Sequence, residues 1–268
     1  MSSSTYLIPE HPTEVDRLDV QHYALLAAVG GNHLAPLERP RRVLDVGSGS
    51  GQWGFDICAA FPGAMVVGFD LRPGKGGEPA NYRFVRGNLL HGLPFSVGQF
   101  DLVHQRVLTT GVPLASWATV VDDLVRITRP GGWVELVEIA WSFWPAGPAT
   151  ERLTALSCQM GRTLGLDSTQ TIFRSLEHGL RRAGLDAVER RDFQLPVGEW
   201  GGQVGSLMAT DVRTGFTRMC SLFEVRGLLP RHKGRELIAA AMAECEQLSS
   251  CLSVAIAFGR RDHRGGPR

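Results

Sequence analysis

The chain has 268 residues, enough for one large domain and few for two independent ones. Hydrophobic residues make up 43% and charged residues 21%, a balance that excludes a disordered chain. With 28 basic and 27 acidic side chains the formal net charge is +1, so the chain has no general attraction for a phosphate backbone. We therefore expect no nucleic-acid partner.

Residues 1–40 are predicted to form a helical arm ahead of the first strand. Apolar residues recur with helical spacing from Val15 to Leu26, and Gly30–Gly31 ends the pattern. No apolar run reaches the roughly 18–20 residues of a membrane span, and the first residues lack the order of a secretory signal. The sequence therefore predicts a cytoplasmic protein without a membrane partner.

Short apolar strands alternate with helices from residue 41 onward. Helices fill the gaps between the strands, most clearly over residues 117–128. This alternation is typical of an α/β protein whose parallel sheet is covered by helices on both faces. The predicted strands are Arg42–Val46, Ala64–Phe69, Asn81–Arg86, Phe100–His104 and Gly132–Glu138.

The C-terminal half is mostly helical in its pattern. Helices are predicted near 149–165, 171–183, 204–226 and 232–249, with strands near 187–195 and 252–258. We expect residues 41–268 to form one domain, with a cofactor-binding core over 41–140. Residues of roughly 140–170 and 197–250 would then form a helical lid over the C-terminal edge of the sheet. The arm or the lid could also hold a second copy of the chain.

The clearest chemical signal follows the first strand. Asp45 lies inside that strand, and Gly47, Gly49 and Gly51 alternate directly after it. Glycines let the backbone turn sharply and approach a ligand, and the next helix directs free N–H groups toward the same place. Asp70 ends the second strand, 19 positions beyond Gly51, where a carboxylate can bind a ribose.

Two cofactors fit this turn. The segment Gly49–Gly54 matches the G-x-G-x-x-G pattern of dinucleotide-binding proteins. A doubly negative pyrophosphate would meet Asp45, however, and that pattern leaves Gly47 unexplained. The same acid suits the ammonium group of S-adenosylmethionine. The pattern favours S-adenosylmethionine, with a nicotinamide dinucleotide as the alternative.

The run Val43–Gly54 resembles motif I of the class I S-adenosylmethionine-dependent methyltransferases. Val67–Leu71, Phe100–His104 and Leu124–Trp133 are similar to later motifs of that family, in the same order. With Gln21–Tyr23, the sequence looks most like small-molecule methyltransferases related to fungal secondary metabolism. The resemblance implies a Rossmann-like, seven-stranded, mostly parallel sheet whose last two strands form an antiparallel hairpin.

The resemblance also implies the cofactor site. S-adenosylmethionine would donate its methyl group and leave as S-adenosylhomocysteine. Asn88 stands where these enzymes usually carry an aspartate, and its amide can still bond the adenine amino group. The expected cofactor contacts are Asp45, Gly47, Ser48, Gly49, Gly51, Trp53, Asp70, Leu71, Asn88, Leu89 and His104.

His104 and Glu138 are the candidate catalytic bases, because an acceptor that must lose a proton needs one. His104 could instead position the cofactor without transferring a proton, and Glu138 could instead cap a following helix. Alignment of the acceptor can supply most of the rate effect on an already activated methyl group. No metal-ligand pattern is present, and the five scattered cysteines are expected to be reduced.

Four side chains are expected to contact the acceptor, which we predict to be a small, aromatic or polycyclic molecule. They are Tyr23 and His33 on the arm and Trp141 and Trp144 just past the fifth strand, although His33 could instead be exposed and the other three could pack in the core. O- and N-methylation are favoured over C-methylation. The alternatives are a cofactor-binding homologue that transfers no methyl group, such as a cyclase or a regulatory protein, and a nicotinamide-dependent oxidoreductase.

Overall fold

A computed structural model of the chain describes residues 14–262. The predicted arm is present as helix α1 (Glu14–Val29), and its first 13 residues lie outside the described residues. Helix α1 is followed by an irregular segment that leads into the sheet.

The described residues form one seven-stranded sheet in the order β3-β2-β1-β4-β5-β7-β6. Strands β1 to β5 pair in parallel, while β7 runs antiparallel to both β5 and β6. This order confirms the predicted Rossmann-like, mostly parallel sheet and its final antiparallel hairpin. The strands are β1 (Arg42–Val46), β2 (Met65–Asp70), β3 (Tyr82–Arg86), β4 (Phe100–Arg106), β5 (Thr128–Trp144), β6 (Leu185–Pro196) and β7 (Cys251–Arg261).

Helices cover both faces of the sheet. Val43 and Leu102 pack in one cluster with side chains of α2, whereas Leu44 and Val103 pack in another with α3 and α5. Adjacent residues of a strand point to opposite faces, so α2 lies on one face and α3 and α5 lie on the other. The remaining helices are α2 (Gln52–Ala60), α3 (Trp117–Ile127), α4 (Pro148–Thr163), α5 (Thr171–Arg182), α6 (Gly202–Val225) and α7 (Arg231–Leu248).

A third apolar cluster joins helices α1, α4, α6 and α7 to the C-terminal part of β5 and the N-terminal part of β7. Leu25, Leu156 and Phe216 bring α1, α4 and α6 into this cluster, in which Ile139 represents the sheet. The helices are therefore packed on one another and on the sheet at the same time. Within residues 14–262, no helix combines the length and the apolar character needed to cross a bilayer.

Strand β5 is longer than predicted. It continues past Glu138 to Trp144, so that Glu138 lies within the strand and Trp141 and Trp144 belong to it. The expectation that these tryptophans follow the strand was wrong, because β7 pairs with β5 as far as Trp144 and Cys251. The register shifts between Ala140 and Trp144, which marks a bulge or irregularity in the pairing.

Candidate active site

The three alternating glycines form the tight turn expected after β1. Gly47, Gly49 and Gly51 all have positive φ angles, of +73°, +54° and +86°. A Cβ atom at Gly47 would lie 2.6 Å from Cδ2 of Leu108, so a larger residue has no space there. The N–H groups of Gly47 and Ser48 both donate to the carbonyl oxygen of Phe69, at 2.8 and 3.2 Å, which ties the turn to the end of β2.

The Asp70 carboxylate lies against this turn. Its Oδ2 accepts a hydrogen bond from Gly49 N at 2.9 Å, and its Oδ1 accepts one from Arg72 N at 3.3 Å. Burial raises the pKa of Asp70, and the hydrogen bond from Gly49 opposes that shift. Leu71 is exposed beside it. The structure therefore brings Asp70 and the glycine turn together.

The expected adenine-side residues lie just after β3, the neighbour of β2. Asn88 Oδ1 accepts a hydrogen bond from Leu90 N at 3.0 Å and caps a short 3-10 turn over Leu89–His91. Asn88 and Leu89 are half-buried. One of the two lone-pair positions of the Asn88 amide oxygen is thus used locally, and the other position and the NH2 group can meet a ligand.

Helix α1 and the segment after β2 cover the glycine turn. A Cβ atom on Gly49 would meet Cδ1 of Leu18 at 2.9 Å, which shows how closely α1 approaches. From the other side, Lys75 N donates to the carbonyl oxygen of Ser50 at 3.2 Å. The Lys75 ammonium group also donates to Asp19 Oδ2 of α1 at 2.6 Å, so the two covering segments are joined.

Asp45, His104 and Trp53 form a buried cluster on the α2 face of the sheet. Asp45 and His104 are register partners in β1 and β4, and Asp45 Oδ1 lies 2.9 Å from His104 Nδ1. The His104 and Trp53 rings stack with centroids 3.7 Å apart. Burial lowers the pKa of His104, which favours the neutral ring. His104 faces a small cavity of about 310 Å³ that His33 also lines.

Glu138 holds the segment that follows β4. Its Oε1 accepts hydrogen bonds from Gln105 Nε2 at 2.7 Å and from Leu108 N at 2.8 Å, and its Oε2 accepts one from Thr109 Oγ1 at 2.8 Å. The side chain is fully buried, and burial raises its pKa to about 7. Glu138 therefore fixes a loop from within β5. It does not cap a helix, and it is not among the residues that line the large cavity described next.

A cavity with an empty volume of about 840 Å³ opens between β5, the segment after β4 and the helices α1, α4, α5 and α6. Its walls are mostly apolar. Trp141 lines it, and the Trp141 Nε1 atom is buried without a hydrogen-bond partner among residues 14–262. Prominent lining residues are Thr109, Thr110, Ile139, Cys158, Leu166, Phe173, Val212, Phe216 and Met219.

Three predicted acceptor contacts lie outside this cavity. Tyr23 is 44% exposed on α1, and Trp144 is 77% exposed at the end of β5. His33 lines only the smaller cavity, and its Nδ1 lies 2.9 Å from the carbonyl oxygen of Ala35. Of the four, only Trp141 lies where a molecule in the large cavity would touch it.

Two charged residues of the cavity wall were not among the predicted contacts. Arg17 of α1 and Asp211 of α6 both line the cavity, and Arg17 Nη1 donates to Asp211 Oδ1 at 2.5 Å. Gln21 Nε2 donates to Asp211 Oδ2 at 3.1 Å. One signal was available in the sequence, because helical spacing places Asp211 on the same face as the apolar Met208, three residues earlier.

Comparisons with known proteins agree with this geometry. A family model described as a methyltransferase domain matches residues 43–132. N-methyltransferase verN of Clonostachys rogersoniana is 33% identical over 146 residues, 51% of each chain. Methyltransferase pytC of Aspergillus terreus is 30% identical over 249 residues, 85% of this chain and 74% of pytC. The chain spans about half the length of verN and of the other first curated relatives that it matches.

A solved structure shares the fold. Phosphoethanolamine N-methyltransferase 2 of Haemonchus contortus, in complex with phosphomonomethylethanolamine and S-adenosylhomocysteine, aligns with a TM-score of 0.52 at 13% identity. The alignment covers 95% of this chain and 61% of that chain. Together with the glycine turn, Asp70 and the sheet order, these matches show that the chain belongs to the class I S-adenosylmethionine-dependent methyltransferases.

Proposed function

We propose that this chain transfers a methyl group from S-adenosylmethionine to a small, aromatic or polycyclic acceptor, on nitrogen or oxygen rather than carbon. The observation that carries the proposal is the segment after β4. Leu108 packs against Gly47 of the glycine turn, while the next two residues, Thr109 and Thr110, line the apolar cavity. The proposed cofactor site and the apolar cavity therefore share one wall. The relative verN is named as an N-methyltransferase, which supports methylation on nitrogen.

The residues at the turn fit the cofactor. The glycines leave space that a Cβ atom would fill, and Asp70 offers a carboxylate to two ribose hydroxyls. Asp45 would meet the ammonium group, and Asn88 and Leu89 would flank the adenine. Gly47, Ser48, Gly49, Gly51, Trp53, Leu71 and His104 complete the proposed contacts.

When bound, S-adenosylmethionine supplies a methyl group that is already activated by its sulfonium. The protein then has to align the acceptor and exclude water, which can contribute up to roughly 7–11 kcal/mol. His104, fixed between Asp45 and Trp53, would position the cofactor side of the site. Glu138 would act on the acceptor through Leu108 and Thr109, which it holds in place.

The helices that surround the cavity support the proposed division of the chain. Residues 41–140 would form the cofactor-binding core, and residues of roughly 140–170 and 197–250 would form the lid that selects the acceptor. Helix α1 of the arm, residues 1–40, would close the site from the cofactor side. Arg17 of α1 and Phe216 of α6 both line the cavity, as this division requires.

Calorimetry with S-adenosylhomocysteine and with NAD tests the cofactor. We expect S-adenosylhomocysteine alone to bind, and at 100 times its dissociation constant to stabilise the protein by about 2.7 kcal/mol. Asp70→Ala removes a charged acceptor and should weaken that binding by roughly ten- to a hundredfold. Asp122→Ala, on the exposed face of α3, is the matched control and should change nothing.

Failure of S-adenosylhomocysteine to bind, or unchanged binding by Asp70→Ala, would overturn the proposal. Release of S-adenosylhomocysteine from S-adenosylmethionine in the presence of a metabolite extract then tests transfer itself. A protein that binds the cofactor but never consumes it would be a non-methylating homologue.

A further inference from the structure

The ionisable groups in the wall of the large cavity are few and mostly acidic. Among residues 14–262, the lining contains one basic side chain, Arg17, and two carboxylates, Asp167 and Asp211, beside the Cys158 thiol. Asp167 accepts hydrogen bonds from the N–H groups at the start of α5, so its carboxylate is used to cap that helix. Asp211 is the acid that belongs to the cavity wall itself.

Asp211 is buried, and its carboxylate oxygens can accept further hydrogen bonds. It is 1% exposed, and each of its oxygens accepts one hydrogen bond, from Arg17 and from Gln21. A carboxylate oxygen has two lone-pair positions, so each oxygen can accept one more. The Arg17 guanidinium is shared, because its Nε and Nη2 atoms donate to Glu14. Within residues 14–262, Arg17 is the cation that pairs with Asp211, and Arg17 also pairs with Glu14, which Arg218 contacts as well.

Such a carboxylate is costly in an apolar wall. Met208, three residues earlier on the same face of α6, packs in the apolar core, and an apolar residue in place of Asp211 would pack beside it without loss of a solvated charge. A buried ion pair often contributes little to stability compared with well-packed apolar residues. The position of Asp211 in the cavity wall therefore points to a ligand.

The contact between Arg17 and Asp211 also lies beside the proposed cofactor site. Consecutive residues of α1 face the two sites, since Leu18 packs against Gly49 of the glycine turn while Arg17 lines the cavity. We infer that Asp211 binds the amino group of a largely apolar acceptor and takes up its proton. The inference rests on the proposed function and names its substrate class as amines.

The proposed step balances. An acceptor that enters as an ammonium ion first gives one proton to the Asp211 carboxylate or to solvent, which frees the nitrogen lone pair. The nitrogen then forms a bond to the methyl carbon as the carbon–sulfur bond breaks, and the positive charge moves from sulfur to nitrogen. Burial raises the pKa of Asp211, while Arg17 and Gln21 oppose that shift. A raised pKa of the carboxyl lies closer to the pKa of an amine, which eases the proton transfer.

The test compares two probes of equal shape. Tryptamine carries an amino group where 3-propylindole carries a methyl group. Calorimetry on the protein saturated with S-adenosylhomocysteine should show tryptamine binding at least roughly tenfold more tightly, because a carboxylate–ammonium bond forms in an apolar cavity. Asp211→Asn should remove this preference, and Asp167→Asn, the matched acid of the same cavity, should retain it. Neither variant should change the affinity for S-adenosylhomocysteine.

The outcomes separate the two proposals. Loss of S-adenosylhomocysteine binding in the unaltered protein refutes the proposed function. With that binding intact, equal affinity for the two probes, or no binding of tryptamine, overturns the amine assignment. A preference that survives in Asp211→Asn overturns it as well, since another group would then bind the amine. If Asp211→Asn does not fold, the comparison of the two probes on the unaltered protein still tests whether the cavity prefers an amine, and equal affinities still overturn the assignment.

Discussion

At the scale of single residues, the α2 face of the sheet holds a row of buried ionisable side chains. Asp45, His104 and Glu135 are register partners on three adjacent strands, so their side chains point to the same face. Their hydrogen-bond partners differ. Asp45 and His104 bond to each other, whereas Glu135 Oε2 accepts from the N–H groups of Leu34 and Ala35. Glu135 thereby attaches the segment after α1 to the sheet.

Glu135 should make stability depend on pH. Burial raises the pKa of Glu135 to about 7, from 4.5 in a solvated carboxyl. Between these values the folded protein holds a proton that the unfolded chain releases, so the free energy of unfolding falls as pH rises through this window. One such group contributes at most about 1.4 kcal/mol per pH unit. Glu135→Gln should reduce the fall between pH 5 and 7, measured by urea denaturation.

Glu138, whose pKa is raised to about 7 as well, is expected to contribute to the fall that remains in Glu135→Gln. Glu177→Gln, on the surface of α5, serves as the control and should keep the full pH dependence. A Glu135→Gln variant whose unfolding free energy follows that of the unaltered protein at every pH would contradict the assignment.

Residues of the site differ in how far the sequence predicts them. The glycine turn and Asp70 are recognisable because their spacing along one strand–turn–helix unit and the next strand is local. Asp211 and Arg17 are 194 positions apart, and their contact depends on how α1 crosses α6. No local pattern encodes that crossing. The same holds for Glu138, whose partners Leu108 and Thr109 belong to another strand's loop.

At the scale of elements, the segment after β2 acts as a cover whose fit depends on one glycine. A Cβ atom on Gly74 would lie 2.3 Å from the carbonyl oxygen of Ser50. Backbone atoms cannot yield as a flexible side chain can, so the segment would have to move away from the turn. Lys75, which joins this segment to α1 through Asp19, would move with it.

Gly74→Ala should therefore weaken cofactor binding. Overpacking of this kind typically costs about 1–3 kcal/mol, which corresponds to roughly five- to a hundredfold in affinity for S-adenosylhomocysteine. Gly63→Ala is the matched control, because nothing lies within 4 Å of a Cβ atom there. Calorimetry on both variants decides, and equal affinities would show that the segment does not need to lie against the turn.

Element type was predictable where the pattern was strong, and element length was not. Alternation of apolar strands and helices located β1 to β4 within a few residues. The extension of β5 beyond Glu138 was not predicted. It depends on pairing with β7, more than 100 positions later in the chain, which no local pattern indicates. Strand β7 lies between β5 and β6 in the sheet. Its own residues do not indicate this position, which was expected from the family resemblance.

At the scale of the whole molecule, the sheet order brings the two proposed sites to one edge. Strands β1 and β4 are neighbours, so the glycine turn after β1 meets the segment after β4. Leu108 of that segment contacts Gly47, and Thr109 and Thr110 line the cavity. Glu138 of the next strand fixes the segment from behind. The segment after β4 therefore connects the two proposed sites.

This arrangement predicts that the two sites are coupled. Cofactor contact with the turn should fix Leu108 and preform the cavity wall, so S-adenosylhomocysteine should raise the affinity for tryptamine at least roughly fivefold. By thermodynamic linkage, tryptamine must raise the affinity for S-adenosylhomocysteine by the same factor. Leu108→Ala removes the contact with Gly47 and should reduce both factors together, whereas Leu114→Ala, at a partly exposed leucine, should leave them unchanged. Two calorimetric titrations, each with and without the other ligand, measure the factors. Independent binding in the unaltered protein would mean that the segment after β4 separates the sites instead of linking them.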